Sequence, residues 1–190
     1  MNNFKFQKEN TKNLLLKAID YNRGDISLGE LWGDFLHILT ILNIPLKTIQ
    51  NLQEEKNKTR GDFEKKLIME YILIPTNSPL AFKYFLSSNN IFSGIKKIEN
   101  QFYYKFLTQK AIRSHIPHLT LAFSEFFKIE DPLLPIGKVF IATHEEFLQA
   151  LKFKLIEETK EVLYSKNLEE LQEELGDVYL IIIYLQNLEK

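Results

Sequence analysis

Between Lys154 and Leu185 the sequence KLIEETKEVLYSKNLEELQEELGDVYLIIIYL sets carboxylates into two apolar helical patterns separated by one short turn. At 100° per residue, Glu158 and Glu161 fall on one flank of the first apolar stripe, and Glu157 points further round toward solvent. Glu174 and Asp177 share one flank of the second stripe. An antiparallel pair of such helices brings four carboxylates together at the edge of a core. Like charges about 4 Å apart repel by about 4 kcal/mol at an effective dielectric of about 20, so the arrangement asks for a cation. Ligands that are all oxygens suit Mg²⁺ or Mn²⁺ better than Zn²⁺. The competing reading has the same acids on solvated faces, paired with Lys152, Lys154, Lys160 and Lys166.

The elements that must position these acids are legible around them. Leu148, Leu151, Leu155 and Val162 recur at helical spacing, as do Leu168, Leu171, Leu175, Val178, Ile182 and Leu185, and no proline follows Pro135 to interrupt either run. Thr143 with Glu146 three residues later predicts a capping box for the first helix, and Asn167 predicts the cap of the second. The turn between them falls at about Tyr164 to Asn167, which makes the helices antiparallel neighbours.

Glu157-Glu158-x-x-Glu161 followed by Glu174-x-x-Asp177 resembles the EExxE…ExxD signature of the all-α nucleoside triphosphate pyrophosphohydrolases, the MazG-like and phosphoribosyl-ATP pyrophosphohydrolase-like group. THEEFLQALKFKLIEETKEVL and LQEELGDVYLIII follow that family's rhythm through Gly176-Asp177, and YYKFLTQKAI (Tyr103 to Ile112) is similar to the segment that opens many phosphoribosyl-ATP-like members. The resemblance implies that Glu158, Glu161, Glu174 and Asp177 bind Mg²⁺, with Mn²⁺ as a substitute. It further implies hydrolysis of a nucleotide between its α- and β-phosphates, with Glu157 orienting or deprotonating the attacking water.

EKNKTRGDFEKKLI resembles the basic stretch with which this family often ends, through Lys56, Lys58, Arg60, Gly61, Phe63 and Lys65, with Asp62 in place of a second glycine. It lies ahead of the acids instead of behind them. Lys56, Lys58 and Arg60 are the implied phosphate contacts, set against the plainer reading of a solvated helix end. Just before it, SLGELWGDFLHILTIL parallels LQEELGDVYLIIIYL, matching Gly33-Asp34 to Gly176-Asp177, while Leu31 stands at the position of Glu174 and NTKNLLLKAIDYN has no EExxE. The expected fold is therefore all-α, an antiparallel helical bundle built as a tandem pair of related helical units whose N-terminal copy is degenerate. The units are drawn at residues 1–76 and 77–190, separate or packed as one domain; a permuted single unit is the alternative.

Composition sets the frame. The 190 residues, 45% hydrophobic, can bury a substantial core. A formal net charge of −1 makes no electrostatic case for nucleic-acid binding by the chain as a whole. The absence of cysteine excludes disulfides and thiolate metal sites. The polar start MNNFKFQKEN has no signal-like apolar region, and no apolar run reaches the roughly 18 residues of a membrane span, so a cytoplasmic location with no membrane partner is expected.

Along the chain, Ser27 with Glu30 predicts a capped helix over about Leu28 to Asn43, and another helix is expected from Pro45 toward the basic stretch. FEKKLIMEYILI is read as helix from its length and Glu/Lys content, and the aromatic-rich stretch from Leu80 to Ile116 as two or three helices turning near Ser87 to Asn90. PTNSP, Pro75 to Pro79, is the expected boundary between halves. Lys128 to Ala142 reads as a loop with a short strand at Lys138 to Ile141. His115 and His118 flank a proline and read as a surface turn; Arg113-Ser114-His115 lacks the context of a hydrolase triad. His144 reads as a first-turn surface residue and Phe63 as core. Phe82, Tyr84, Phe85, Phe102, Tyr103 and Tyr104 read as core or as a homo-oligomer surface. The function expected is a Mg²⁺-dependent nucleotide pyrophosphohydrolase, with a non-catalytic helical assembly or nucleotide-sensing protein of the same ancestry as the alternative.

Overall fold

The computed structural model describes residues 2–78, 91–98, 100–113 and 136–190, the side chains of residues 2–10, 109 and 136–138 excepted. The described elements are, in chain order, α1 (Asn2–Arg23), α2 (Leu28–Ile41), α3 (Leu46–Arg60), β1 (Leu67–Pro75), β2 (Ile91–Ile98), β3 (Gln101–Ile112), β4 (Ile136–Ile141), α4 (His144–Tyr164) and α5 (Leu168–Leu188). By compactness the chain divides into Met1–Thr59 with Leu148–Lys190, and Arg60–Phe147.

The first unit is helical. Its core is made by the apolar stripes of its helices, with Leu14, Leu31, Phe35, Ile49, Leu151, Leu155, Leu175, Val178 and Ile182 buried. Each such side chain is worth about 1.5–3 kcal/mol of transfer free energy. Ser27 and Glu30 close a capping box at the start of α2: Glu30 N donates to Ser27 Oγ, and Ser27 N donates to Glu30 Oε2. The indole of Trp32 stacks on Phe35 at 5.5 Å, and both rings meet Tyr179 of α5 at 6.1 and 6.4 Å.

The second unit overturns the all-α expectation. The fold is mixed α/β, since residues 67–141 supply an antiparallel sheet of order β2-β3-β1-β4 in place of the helices of a helical bundle. FEKKLIMEYILI misleads because three of its four charged residues, Glu64, Lys65 and Lys66, precede the strand that its apolar residues form. Lys66 sits at φ 48, out of the helical range, and only from Leu67 does the strand begin. The apolar run that follows is the length of a strand, and β1 is central: it pairs with β3 from Leu67↔Ile112 to Pro75↔Tyr103 and with β4 from Leu67↔Ile141 to Leu73↔Ile136. A strand flanked on both sides and covered on both faces loses the apolar/polar alternation that would have announced it.

The described part of the aromatic-rich stretch is sheet as well, in place of the helices expected there. Residues 91–112 form the antiparallel pair β2–β3, in register from Ile91↔Leu107 to Ile98↔Gln101. β-Branched side chains are stiff at χ1, and they and the aromatics pack well on a pleated surface. Phe106 is fully buried with Ile72 and Ile74, and the ring of Phe92 meets Tyr104 and Phe106 edge-on. Tyr103 is buried while Phe102 is half exposed. Phe63 is core as expected, with its ring 6.2 Å from that of Phe147.

β4 lengthens the short strand expected at Lys138 to Ile141. Pro75 to Ser78 is a turn, with Ser78 N donating to Pro75 O, that closes β1 inside this second unit. The expected turn near Ser87 to Asn90, Phe82, Tyr84, Phe85, the stretch Ser114-His115 to His118 and the loop from Lys128 lie outside the described residues. Among the described residues, no helix is long and apolar enough to cross a membrane.

Candidate functional site

Local sequence fixes the helices that carry the acids. Thr143 and Glu146 form the capping box of α4, with Glu146 N on Thr143 Oγ1 at 3.3 Å and Thr143 N on Glu146 Oε2 at 2.8 Å. Those bonds hold the Glu146 carboxyl below its usual range. Asn167 caps α5 by accepting from Glu170 N at 2.8 Å. The three residues between Tyr164 and Leu168 turn the chain back, so that Glu158 and Glu174, about equally far from the turn, come side by side. A third helix joins them. α3 stops at Gly61, whose φ of 72 is the left-handed geometry that a glycine adopts after a helix C-terminus without strain.

One carboxylate oxygen each from Glu158, Glu174 and Asp177 lies within 4.8 Å of the others. Glu158 and Asp177 are only 6% and 8% exposed, which is rare for carboxylates unless they are partnered. Their partners are ammonium and amide groups. Lys154, one turn before Glu158, reaches its Oε1 at 2.5 Å. Lys56 of α3 donates to Asp177 Oδ2 at 2.9 Å and to the carbonyl oxygen of Glu173 at 3.2 Å. Gln53, one turn earlier on α3, donates through Nε2 to Asp177 Oδ1 at 2.8 Å.

Gly176 makes the last contact possible. A Cβ at that position would stand 3.0 Å from Gln53 Nε2 and 3.5 Å from its Cγ, so a side chain there would require the amide to give by a few tenths of an ångström. The Gly-Asp pair thus works as a unit, one residue admitting α3 and the next receiving its amide.

The charges do not balance within the cluster. Glu158, Glu161, Glu174 and Asp177 face two ammonium groups, Lys56 and Lys154. Burial alone would lower Lys154, but the charges of Glu158 and Glu157, with Asp177 behind them, raise it above the ordinary lysine range. Dehydration, then Glu158 and Asp177, raise Glu174. Dehydration followed by the charges of Glu158, Glu174 and Glu157 pushes Glu161 up to about 7. Glu161 is an exposed residue on the flank of α4, so its neighbours' charges matter there as much as dehydration does. The charges of Glu158 and Glu174 oppose its ionisation, so that Glu161 and its neighbours do not all ionise freely together. A cluster that takes up protons near neutrality is one that a divalent cation would relieve.

Of the residues singled out in the sequence, Glu158, Glu174 and Asp177 converge, and Glu161 is coupled to Glu158 and Glu174 through charge. Glu157 is half-buried and acts on Glu161 and Lys154 through its charge. Lys56 reaches the acids; Lys58 instead pairs with Glu55 on its own helix, both being mostly exposed, and Arg60 is exposed at the end of α3. Asp34 of the second Gly-Asp pair stands apart, 3.7 Å from Lys17. His144 is exposed at the start of α4. Lys154 does pair with an acid, as the solvated-face reading had it, yet the pair is largely buried. The residue that the sequence reading missed is Gln53, whose one signal was its position a turn before Lys56.

Compared with known proteins, the chain matches no family model, no curated protein and no solved structure. The likeness to the pyrophosphohydrolases therefore rests on the two acidic motifs and their context.

The donor set fits a hard divalent cation. It offers oxygens alone, and oxygens around one Mg²⁺ or Ca²⁺ lie at most about 4 to 5 Å apart, close to the spacing of the three carboxylates as they stand. A further oxygen, Gln53 Oε1, is buried on the amide that bonds Asp177, without a hydrogen-bond partner among the described residues.

Proposed function

We propose that the helical unit is a Mg²⁺- or Mn²⁺-dependent nucleotide pyrophosphohydrolase. The observation that carries the reading is the convergence of Glu158, Glu174 and Asp177 from two successive helices into one buried oxygen cluster. In this reading those three and Glu161 would hold the cation. When bound, the cation would supply positive charge against the leaving pyrophosphate and acidify a water.

The chain's own residues do the rest. Lys154 holds Glu158 in place in the cluster, and Gln53 and Lys56 do the same for Asp177. Glu157, beside Glu158 and partly exposed, receives the proton of the attacking water. That water's oxygen bonds the α-phosphorus as the bond from phosphorus to the β-bridging oxygen breaks, giving a nucleoside monophosphate and pyrophosphate. Lys56, the α3 ammonium that already reaches Asp177, is the cation placed to meet a phosphate oxygen.

A second reading has its own support. Lys154 on Glu158 and Lys56 on Asp177 are also what a purely structural ion-pair cluster would look like, and such a helical unit could sense a nucleotide or assemble without turning it over. The discriminating experiment incubates the protein with Mg²⁺ and a panel of ribo- and deoxyribonucleoside triphosphates and separates the products by ion exchange, with Glu174→Gln alongside. Monophosphate plus pyrophosphate from the parent alone supports the enzyme. No turnover across the panel with either Mg²⁺ or Mn²⁺ sinks it in favour of the second reading.

A further inference from the structure

Gln53 is 2% exposed, and its amide is only half used. Nε2 donates to Asp177 Oδ1 at 2.8 Å, while Oε1 of the same amide is buried and has no hydrogen-bond partner among the described residues. Leaving a buried carbonyl oxygen unpaired forfeits its hydration with nothing in exchange. An apolar side chain of similar length would avoid that cost, and Leu, Met or Ile would suit a buried position on α3 as Ile49 does. A glycine is placed opposite so that the amide fits, since any Cβ at 176 would meet Gln53 Nε2 at 3.0 Å. The orphan oxygen is thus held next to a carboxylate of the acid cluster by a contact that the fold takes trouble to make.

Its orientation narrows what it can meet. The nitrogen and oxygen of an amide diverge, so while Nε2 is on Asp177 the oxygen cannot address the same carboxylate and must look to a donor beside it. The two ammonium groups in the cluster are engaged, Lys56 on Asp177 Oδ2 and the Glu173 carbonyl, Lys154 on Glu158. What a carboxylate cluster brings with a hard divalent cation is water: Mg²⁺ keeps several of its waters when it binds, and these are strong hydrogen-bond donors. Residues one shell out from such an ion commonly hold a ligand with one atom and a bound water with another.

We infer that Gln53 is a positioning residue of the cation site, fixing Asp177 through Nε2 and accepting through Oε1 a hydrogen bond from a water carried in with the cation. The inference rests on the cation reading of the acid cluster and adds to it a residue that the acidic motifs do not contain.

The test uses the full chain labelled with ¹³C and ¹⁵N and titrated with Mg²⁺ alone, without nucleotide. The Gln53 side-chain signals are assigned by their loss in Gln53→Met. On titration the ¹³Cδ resonance of Gln53 should shift with the same midpoint as the backbone amide of Gly176, which reports the cluster itself. A Gly176 amide that moves while Gln53 ¹³Cδ stays still overturns the inference and leaves the cation site intact. If neither moves, the cation reading fails and takes this inference with it. In parallel, Mn²⁺ affinity measured by electron paramagnetic resonance should fall about tenfold or more in Gln53→Met, the usual loss on removing an outer partner. Equal affinity in a variant that keeps the parent's amide spectrum likewise overturns it. If Gln53→Met does not fold, the titration of the parent still decides, its Gln53 signals then being assigned through the bonds of the labelled side chain.

Discussion

Gly33-Asp34 on α2 and Gly176-Asp177 on α5 are the same dipeptide on two helices of one helical unit, and the structure treats them in opposite ways. A Cβ on Gly33 would meet nothing within 4 Å among the described residues, and the Asp34 side chain is 38% exposed with Lys17 3.7 Å away. Gly176 is covered by Gln53, and Asp177 is buried between an amide and an ammonium. The difference lies in what crosses each helix. α3 lies over Gly176 and delivers Gln53 and Lys56 in successive turns. At Glu174's counterpart, α2 has Leu31, fully buried in the core, so that face serves packing alone. A dipeptide that looks like half of a signature becomes a site only where a second helix supplies partners for its charge.

The sharpest way to break the comparison is to remove the cation on each side. Lys56→Met leaves Asp177 buried without its ammonium, and loss of one partner of a buried pair costs roughly 3–5 kcal/mol. Lys17→Met beside Asp34 removes an exposed pair worth at most about 1 kcal/mol. Urea unfolding of the two variants should differ by several-fold in lost stability, and added Mg²⁺ should recover part of the loss in Lys56→Met only. Equal losses would mean that Asp177 is no more committed to its partners than Asp34 is.

A smaller effect is readable in pH. Glu161 rises from 4.5 to about 7 in the folded chain, and Glu174 moves the same way. For an acid whose folded value lies above its unfolded one, the folded state holds more protons. Its contribution to stability is therefore complete below about 4.5 and is lost as pH climbs through about 7. Without divalent cation, the parent should lose stability across that window relative to Glu161→Gln, measured as the difference in melting temperature at each pH. The stabilisation given by Mg²⁺ should grow over the same window. Asp34→Asn should leave both slopes unchanged. A parent and Glu161→Gln that run parallel from pH 4.5 to 8 would remove the proton-holding cluster from the argument.

How much of this was legible in the sequence follows from the range of each interaction. The caps at Ser27, Thr143 and Asn167 and the Lys154–Glu158 pair are set by residues three or four apart, so spacing alone exposes them. The convergence of Glu158 with Glu174 and Asp177 needed only one short turn between two periodic helices. Gln53 on Asp177 spans more than a hundred residues, and a glutamine on a polar helix carries no mark of burial. The sheet was missed for a different reason. β1 is covered on both faces and so shows no alternation, and the charged residues 64–66 ahead of it, which suggested helix, end before the strand begins. Period is a reliable guide where an element has a wet side and a dry side, and β1, buried at successive residues at both its ends, does not divide that way.

The last contrast concerns the glycines, and its effects are the smallest. In a helix interior, alanine is favoured over glycine by about 0.8–1 kcal/mol. Gly33→Ala should gain most of that, because a methyl there meets nothing. At Gly176 the same gain is set against a contact of 3.0 Å with Gln53 Nε2, and crowding a packed site costs about 1–3 kcal/mol. Gly176→Ala should therefore be neutral to destabilising overall, the opposite sign to Gly33→Ala, and thermal unfolding of the pair will show it. Should both raise the melting temperature alike, Gln53 must be free to move off Asp177 at little cost. Gly176→Ala combined with Gln53→Ala separates the explanations: if the crowding is between these two side chains, shortening the glutamine restores to position 176 the gain that alanine makes at position 33.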